Sequence, residues 1–413
     1  MPDHTYIKWK HLVAKATQHK HWRTSPALCC VPSMRASQKV VCVLEDFERS
    51  RPLLAQLVHL GAHVQVWDAS SLYIDTAAAP PSTDIVYFFR TSPSCGDRGR
   101  PWSLNSSKLL ASYLEASGCC VLHGCKSLEF ESCKWSQVRL LHHVGIRTPR
   151  TVLVSGTTSQ LIESTKLGLK ELGIANVKQD TDQDKILAGA WVKPCCGGSG
   201  TGAMRTEDVF RVYQMQTMAK HRKLKDSVFG TPPNKALLIQ PENAKPKRLV
   251  HSQNGQSRKR LMRTFYRAEF VDRRLLYVLQ VTAMDTAVSA CPCDTRTSKD
   301  IRYSIVNSAR DIFLSRTTHT AKHLDMRWNQ FVRSCCQYME RAGMYIAAFE
   351  FVICDNSGDP VVFDVNANTN YNEAAEKNSR LPSGYGAAAL CILNYGLRFL
   401  HDNQLVYEAC KTR

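Results

Sequence analysis

Glu350, Asp364 and Asn366 are the residues in this chain whose types and spacing first suggest chemistry. They lie in Tyr345 to Asn372, YIAAFEFVICDNSGDPVVFDVNANTNYN, which reads as a β-hairpin. Tyr345 to Cys354 is apolar and β-prone, Asp355 to Pro360 supplies turn residues, and Val361 to Val365 forms the returning arm. Glu350 sits between Phe349 and Phe351 in the first arm. Asp364 and Asn366 are two apart in the second, so in an extended strand they project from one face. A buried carboxylate costs several kcal/mol unless a cation or donor offsets it. Acid and amide oxygens converging from adjacent strands are hard ligands of the kind Mg²⁺ takes. A satisfied buried carboxylate beside Asn-rich turns fits the same residues, and the hairpin alone leaves both readings open.

Lys193 is the second candidate. It lies on the short strand Ala190 to Pro194, followed by Cys195, Cys196, Gly197, Gly198, Ser199, Gly200, Thr201 and Gly202. A glycine-rich turn between strands lets backbone N–H groups approach an anion, so it can cradle phosphate; a flexible hairpin has the same composition. It is not a Walker A loop, because no Gly-Lys-Ser/Thr follows and no helix opens after it. Cys291-Pro292-Cys293-Asp294 reads as a turn, with Arg302 on the next strand. Nothing in the sequence supplies a base for a catalytic thiol there, and no second cysteine pair follows at zinc-finger spacing. His123, His142 and His143 are expected to play ordinary loop and helix roles.

The elements around these residues begin with a βαβ pattern. Val40 to Leu44 is a continuous apolar run suited to a parallel strand buried on both faces. Arg51 to Leu60 has helical spacing and stops at Gly61. Strands follow at Val64 to Trp67 and Ile85 to Phe89, then a helix over Leu104 to Ser117 and a strand over Cys119 to Leu122. These make a small doubly wound α/β domain over residues 38–124. No GxGxxG follows its first strand, so a dinucleotide site there has no support. Next come a helix around Glu131 to Val144 containing Lys134, an extended stretch from Ile146 to Val154, and a helix over Ser159 to Gly173. Leu237 to Glu242 is a strand ending Gln-Pro-Glu, and Phe265 to Val281 forms strands around a turn at Asp272-Arg273, with Arg267 on the first arm.

At 413 residues the chain can hold two or three domains. No apolar run is long enough for a membrane span, and no signal-peptide pattern opens the sequence. Seventeen cysteines scattered through apolar segments fit reduced core thiols of a cytoplasmic protein better than a disulfide framework. The formal net charge of +18 favours phosphate-rich or acidic partners. Much of it lies in residues 1–37, read as a mobile basic tail rather than a mitochondrial presequence, and in Lys245 to Arg263, read as a basic loop or hairpin around Asn254-Gly255. These runs lack the interleaved aromatics of a stacking platform, so solvated charge is expected over nucleic-acid binding.

In their order, the lysine helix, the lysine strand with its glycine loop, the Gln-Pro-Glu strand, the arginine hairpin and the terminal acid/amide hairpin resemble the ATP-grasp superfamily. The resemblance covers about residues 120–400; "VKPCCGGSGTGA" resembles its lysine and flap, and "FDVNANTNYN" its metal motif. The family pattern has Glu where this chain has Asp364, which keeps the charge and shortens the reach by one methylene. The form with Asn366, Asn368 and Asn370 is most similar to carboxylate–amine ligases related to ribosomal-protein glutamate ligases and D-alanine ligases.

The resemblance implies an α+β ATP-grasp fold, two lobes clamping ATP, preceded by the small doubly wound pre-grasp domain. Residues 1–37 would be the tail, 38–124 the pre-grasp domain and 125–413 the ATP-grasp domain, divided into 125–240 with the flap and 241–413 with the metal site and the insert 245–263. The cofactors would be ATP and Mg²⁺, with Mn²⁺ a substitute. Lys134 and Lys193 would contact the phosphates, Gly197, Gly198, Ser199 and Gly200 would cover them, and Gln240 and Glu242 would border adenine or ribose. Glu350, Asp364 and Asn366 would hold the metal, and Arg267 would face the transferred phosphoryl group, unless it is a surface charge paired with Glu269. The resemblance also implies that the Cys291 to Asp294 turn lines the pocket. The implied reaction joins an ATP-activated carboxylate to an amine or thiol, with small-molecule substrates. Two alternatives stand beside it: a catalytically silent nucleotide-binding protein of the same fold, and a macromolecular acceptor such as a ribosomal protein or RNA.

Overall fold

The structure is a computed structural model. It describes residues 38–72, 75, 81–91, 103–155, 158–172, 190–195, 204–205, 236–241, 247–253, 256–284, 301–306, 312, 321–354 and 357–411. The expectations for the basic tail, the loop Gly197 to Gly202, Glu242, Cys291 and Cys293 lie outside the described residues. The chain divides into two compact units, one from residues within 1–91, 102–125 and 370–413, the other from residues within 92–101 and 126–369.

The first unit is built on a parallel sheet of order β2-β1-β3-β4, from β1 (Lys39–Leu44), β2 (His63–Asp68), β3 (Ile85–Arg90) and β4 (Cys120–Leu122). β1 lies between two parallel neighbours and is buried from Val40 onward, which is why it reads as an unbroken apolar run. α1 (Phe47–His59) starts at Asp46, whose carboxylate accepts a hydrogen bond from the Arg49 N–H at 3.1 Å, and it buries Leu53, Leu54 and Leu57. α2 (Ser103–Ala116) leads into β4. The unit is completed from far along the chain by α7 (Glu373–Asn378) and α8 (Gly384–Lys411). α8 packs on α1 and β3, and the Tyr395 hydroxyl donates to the Val121 carbonyl at 3.2 Å. Gly396 permits that approach, because a methyl group in its place would overlap the side chains of Gln38 and Val86. Residues from Asn370 onward cluster with the first unit.

The second unit holds two antiparallel sheets. The smaller has order β5-β8-β6-β7, from β5 (Val152–Ser155), β6 (Ala190–Pro194), β7 (Met204–Arg205) and β8 (Ala236–Pro241), with α5 (Thr158–Glu171) packed on β5 and β8. The larger has order β12-β11-β10-β13-β14, with β9 on the outer stretch of β10. Its strands are β9 (Lys247–Gln253), β10 (Gln256–Val271), β11 (Arg274–Met284), β12 (Ile301–Val306), β13 (Ile346–Ile353) and β14 (Pro360–Asn366). The basic run is thus a β9–β10 hairpin. Asp272 and Arg273 at the β10–β11 turn have φ of 50° and 58°, the left-handed pair that tight hairpins require.

One face of the larger sheet makes the core. Tyr266, Ala268 and Phe270 of β10 and Ala347, Phe349, Phe351 and Ile353 of β13 join Phe331, Cys335, Tyr338 and Met339 of α6 (Ala321–Arg341). Phe331 lies 5.1 Å from Phe351 and Tyr338 5.4 Å from Phe349 between ring centroids. Strand alternation leaves Arg267 and Glu269 of β10 and Glu350 of β13 on the opposite face.

His123 in the first unit is buried, has φ of 58° and lies 5.5 Å from the Phe88 ring. Burial, reinforced by the Arg90 guanidinium, pushes its imidazole down to about 3. The unfolded chain therefore takes up a proton near pH 6.5 that the folded chain refuses until about pH 3, so stability falls as the pH drops through that window. His123→Asn, which tolerates positive φ, is expected to remove up to ~1.4 kcal/mol per pH unit from that slope. Urea unfolding of both proteins at several pH values within the window measures it; equal slopes would assign the acid sensitivity to other groups.

Candidate active site

Three charged residues stand side by side on three adjacent strands. Arg267 on β10 is paired in register with Glu350 on β13, and Glu350 with Asp364 on β14. The second alignment depends on a β-bulge. Phe351 pairs with Val362 and Glu350 with Asp364, so Phe363 is the extra residue. Val362 and Val365 both lie in the core, whereas Asp364 between them faces the charged side. Without the bulge, Asp364 would share a face with Val362 and enter the core.

Arg267 is held at three points. Its Nε donates to Glu269 Oε1 at 2.6 Å, Nη1 to Glu350 Oε1 at 2.7 Å and Nη2 to the Thr369 hydroxyl at 2.5 Å. Thr369 in turn donates to Glu269 Oε2 at 2.6 Å. Glu269 is fully buried and Arg267 4% exposed, so the pairing with Glu269 anticipated as a surface alternative is an interior one, and Arg267 contacts the site carboxylate as well.

The far side of the row belongs to the helices. α3 (Cys125–Ser132) and α4 (Lys134–His143) replace the single helix expected around Glu131 to Val144, with Cys133 extended between them. The break lets both ends of the junction face β14. Lys134 is ion-paired with Asp364; Glu131 Oε2 accepts from the Ala367 N–H at 2.7 Å; and Gln137 Nε2 donates to the Val365 carbonyl at 3.0 Å. Burial disfavours charge on Lys134, but Asp364, Glu131 and Glu350 outweigh it and raise its pKa. Burial pushes the Glu131 carboxyl up to about 7 against the pull of Lys134, and Glu350 likewise up to about 7 against Arg267.

Lys193 reaches the same region from β6 of the smaller sheet. Its Nζ lies 5.4 Å above the centroid of Phe363, the residue that the bulge turns to this side. Burial lowers its pKa; Asp364 opposes the shift and Lys134 adds to it. Gln240, on the adjacent strand β8, is buried and donates from Nε2 to the hydroxyl of Thr151, the residue just before β5, at 3.0 Å.

Two carboxylates and an amide converge at the centre. The Asn366 amide donates to Glu350 Oε1 at 3.4 Å and to Asp364 Oδ2 at 3.3 Å. Turning that amide presents Oδ1 instead, giving three oxygen donors of the kind a hard divalent cation takes, so the residues fit Mg²⁺. No cluster of three or more His, Cys, Asp or Glu able to hold a metal occurs among the described residues. The structure therefore brings Lys134, Lys193, Arg267, Glu350, Asp364 and Asn366 into one neighbourhood. Sequence reasoning passed over Glu131, Gln137 and Thr369. The only hint was spacing, since Glu131 and Gln137 each stand three residues from Lys134 and would share its side of the single helix expected there.

No protein-family model matches the sequence, and neither does any curated protein. Solved structures do match. D-alanine–D-alanine ligase from Bacillus anthracis complexed with ATP aligns with a TM-score of 0.52 and 10% identity over 90% of this chain and 100% of that chain. D-cycloserine synthetase DcsG aligns with a TM-score of 0.50 and 12% identity over 87% of this chain and 99% of that one. A RimK domain ATP-grasp protein from Sphaerobacter thermophilus gives 0.49 and 15% over 85% and 98%. Identities this low speak for the fold alone, and the fold is ATP-grasp: a parallel α/β sheet followed by antiparallel sheets.

Removing Arg267 would strand Glu269 in the interior. Arg267→Met is expected to cost about 3–5 kcal/mol of stability, and Arg267→Met with Glu269→Gln to recover part of that. Urea unfolding of the two variants measures the difference; equal losses would mean that Glu269 is compensated by other groups.

Proposed function

We propose that this protein is an ATP-dependent ligase that activates a carboxylate as an acyl phosphate and joins it to an amine, or a thiol, releasing ADP and phosphate. The observation that carries this reading is the convergence of Lys134, Lys193 and Arg267 on Glu350, Asp364 and Asn366 within an ATP-grasp fold. The matching D-alanine–D-alanine ligase was solved with ATP, which supports assigning the nucleotide to this site.

Lys134 and Lys193, compact charges on long stems, would bind the phosphate oxygens. In the structure Lys134 is paired with Asp364, so phosphate and carboxylate compete for one ammonium. Glu350, Asp364 and Asn366 would hold Mg²⁺. Mg²⁺ bound there supplies charge neutralisation on the phosphates, where positioning and electrostatics dominate phosphoryl transfer. Arg267, fixed by Glu269 and Thr369, would stabilise the transferred phosphoryl group without reorganising during the reaction. Gln240 is committed to Thr151, which leaves recognition of the base to backbone groups of β8 and to Glu242. Gly197, Gly198, Ser199 and Gly200 are assigned to covering the phosphates and excluding water from the acyl phosphate. The substrates are assigned as a small carboxylate and a small amine.

ADP and phosphate release, measured with Mg²⁺ and ATP across a panel of amino acids and small carboxylates, tests the reading. Release stimulated by a carboxylate is expected, and Asp364→Asn and Lys193→Ala should each lower it by about a hundredfold or more. Tight ATP binding without stimulated release by any member of the panel would favour the silent nucleotide-binding alternative or a macromolecular acceptor.

A further inference from the structure

Two thiols stand at the junction of the two lysine-bearing elements. Cys133 is the extended residue immediately before Lys134, and Cys195 follows Lys193 by two. Their sulfurs are 3.7 Å apart, and the Lys134 N–H donates to the Cys195 carbonyl at 2.8 Å. That backbone bond ties the peptide leaving Cys133 to the peptide leaving Cys195. A disulfide joins α-carbons roughly 4.4–6.8 Å apart, and the backbone bond keeps the two residues side by side. A disulfide requires the sulfurs to close from 3.7 Å to about 2.05 Å. The two thiols also differ in access: Cys195 is buried, whereas Cys133 is partly exposed.

From this arrangement we propose that Cys133 and Cys195 are a reversible redox modification site, joined as a disulfide by a hydroperoxide oxidant. Cys133, the accessible partner, attacks a peroxide oxygen through its thiolate; the O–O bond breaks and Cys133 becomes a sulfenic acid, with the leaving oxygen departing as water or alcohol. The Cys195 thiolate then attacks the Cys133 sulfur, the S–O bond breaks, and the hydroxyl leaves as water after taking up a proton. The two thiols lose two electrons and two protons in all, and the peroxide receives them. A dithiol reductant reverses the bond by exchange. The link would fasten the start of α4 to the end of β6 and so fix the relative positions of Lys134 and Lys193. The functional consequence, loss of ATP turnover on oxidation, rests on the ligase reading above.

The test treats the full chain with hydrogen peroxide, blocks remaining thiols, and maps peptides by tandem mass spectrometry, which separates Cys195 from the adjacent Cys196. A Cys133–Cys195 cross-link, absent from Cys133→Ser and reversed by dithiothreitol, is the expected result. Peroxide that instead carries Cys133 to sulfinic acid with no link to Cys195 would overturn the site. ADP release is followed on the same samples. It should fall on oxidation, return with dithiothreitol and stay unchanged in oxidised Cys133→Ser. A mapped link without loss of release would overturn the regulatory role. If even the reduced protein releases no ADP, the ligase reading fails, while the peptide map still decides the cysteine pair.

Discussion

The pairing of charge along the row across β10, β13 and β14 is the constraint on which the second unit depends. Arg267, Glu350, Asp364 and Lys134 form a line of plus, minus, minus, plus, and each inner carboxylate is bonded to the cation beside it. The row lies directly behind an apolar core, since the same three strands send Ala268, Phe349 and Val365 to the other face. A single uncompensated charge so placed would cost several kcal/mol, and the pairing makes the arrangement tolerable. It also makes the site responsive. Burial keeps Glu350 and Glu131 near 7, where an added cation favours their ionised forms and an added anion draws on the lysines.

Much of this was legible in the residues because the local patterns are strong. The apolar run of β1, the arginine hairpin with Asp272-Arg273 at its turn, and the acid-bearing hairpin of β13 and β14 all fall where alternation and turn chemistry place them. The face shared by Asp364 and Asn366 was legible as well. The bulge was not, because a bulge is defined by the partner strand and leaves no signature in the residues that form it. Nor was the break at Cys133 visible: the helical period continues across it, and no Gly or Pro marks it. Glu131 and Thr369 became functional candidates only when tertiary folding set them against Ala367 and Arg267.

Helix packing on the terminal strand explains why the site residues come from such distant parts of the sequence. Gln137 and Glu131 bond to the backbone of Val365 and Ala367, on either side of Asn366. The helices thus hold the strand's path while Lys134 meets the side chain of Asp364. Backbone bonds of this kind fix position without consuming the functional atoms, which suits a site whose side chains must exchange partners.

The return of α8 to the first unit carries a consequence for biosynthesis. β1 and β3 leave the ribosome early, yet the helix that packs on α1 and β3 comes after the whole second unit. At translation rates of about 5–20 residues per second, the nascent parallel sheet waits on the order of half a minute for that cover. Its apolar face must be shielded meanwhile by chaperones or by transient contacts, while the second unit, contiguous apart from a short excursion, can close as soon as β14 emerges. The unit whose strands are translated before the second unit is therefore completed after it.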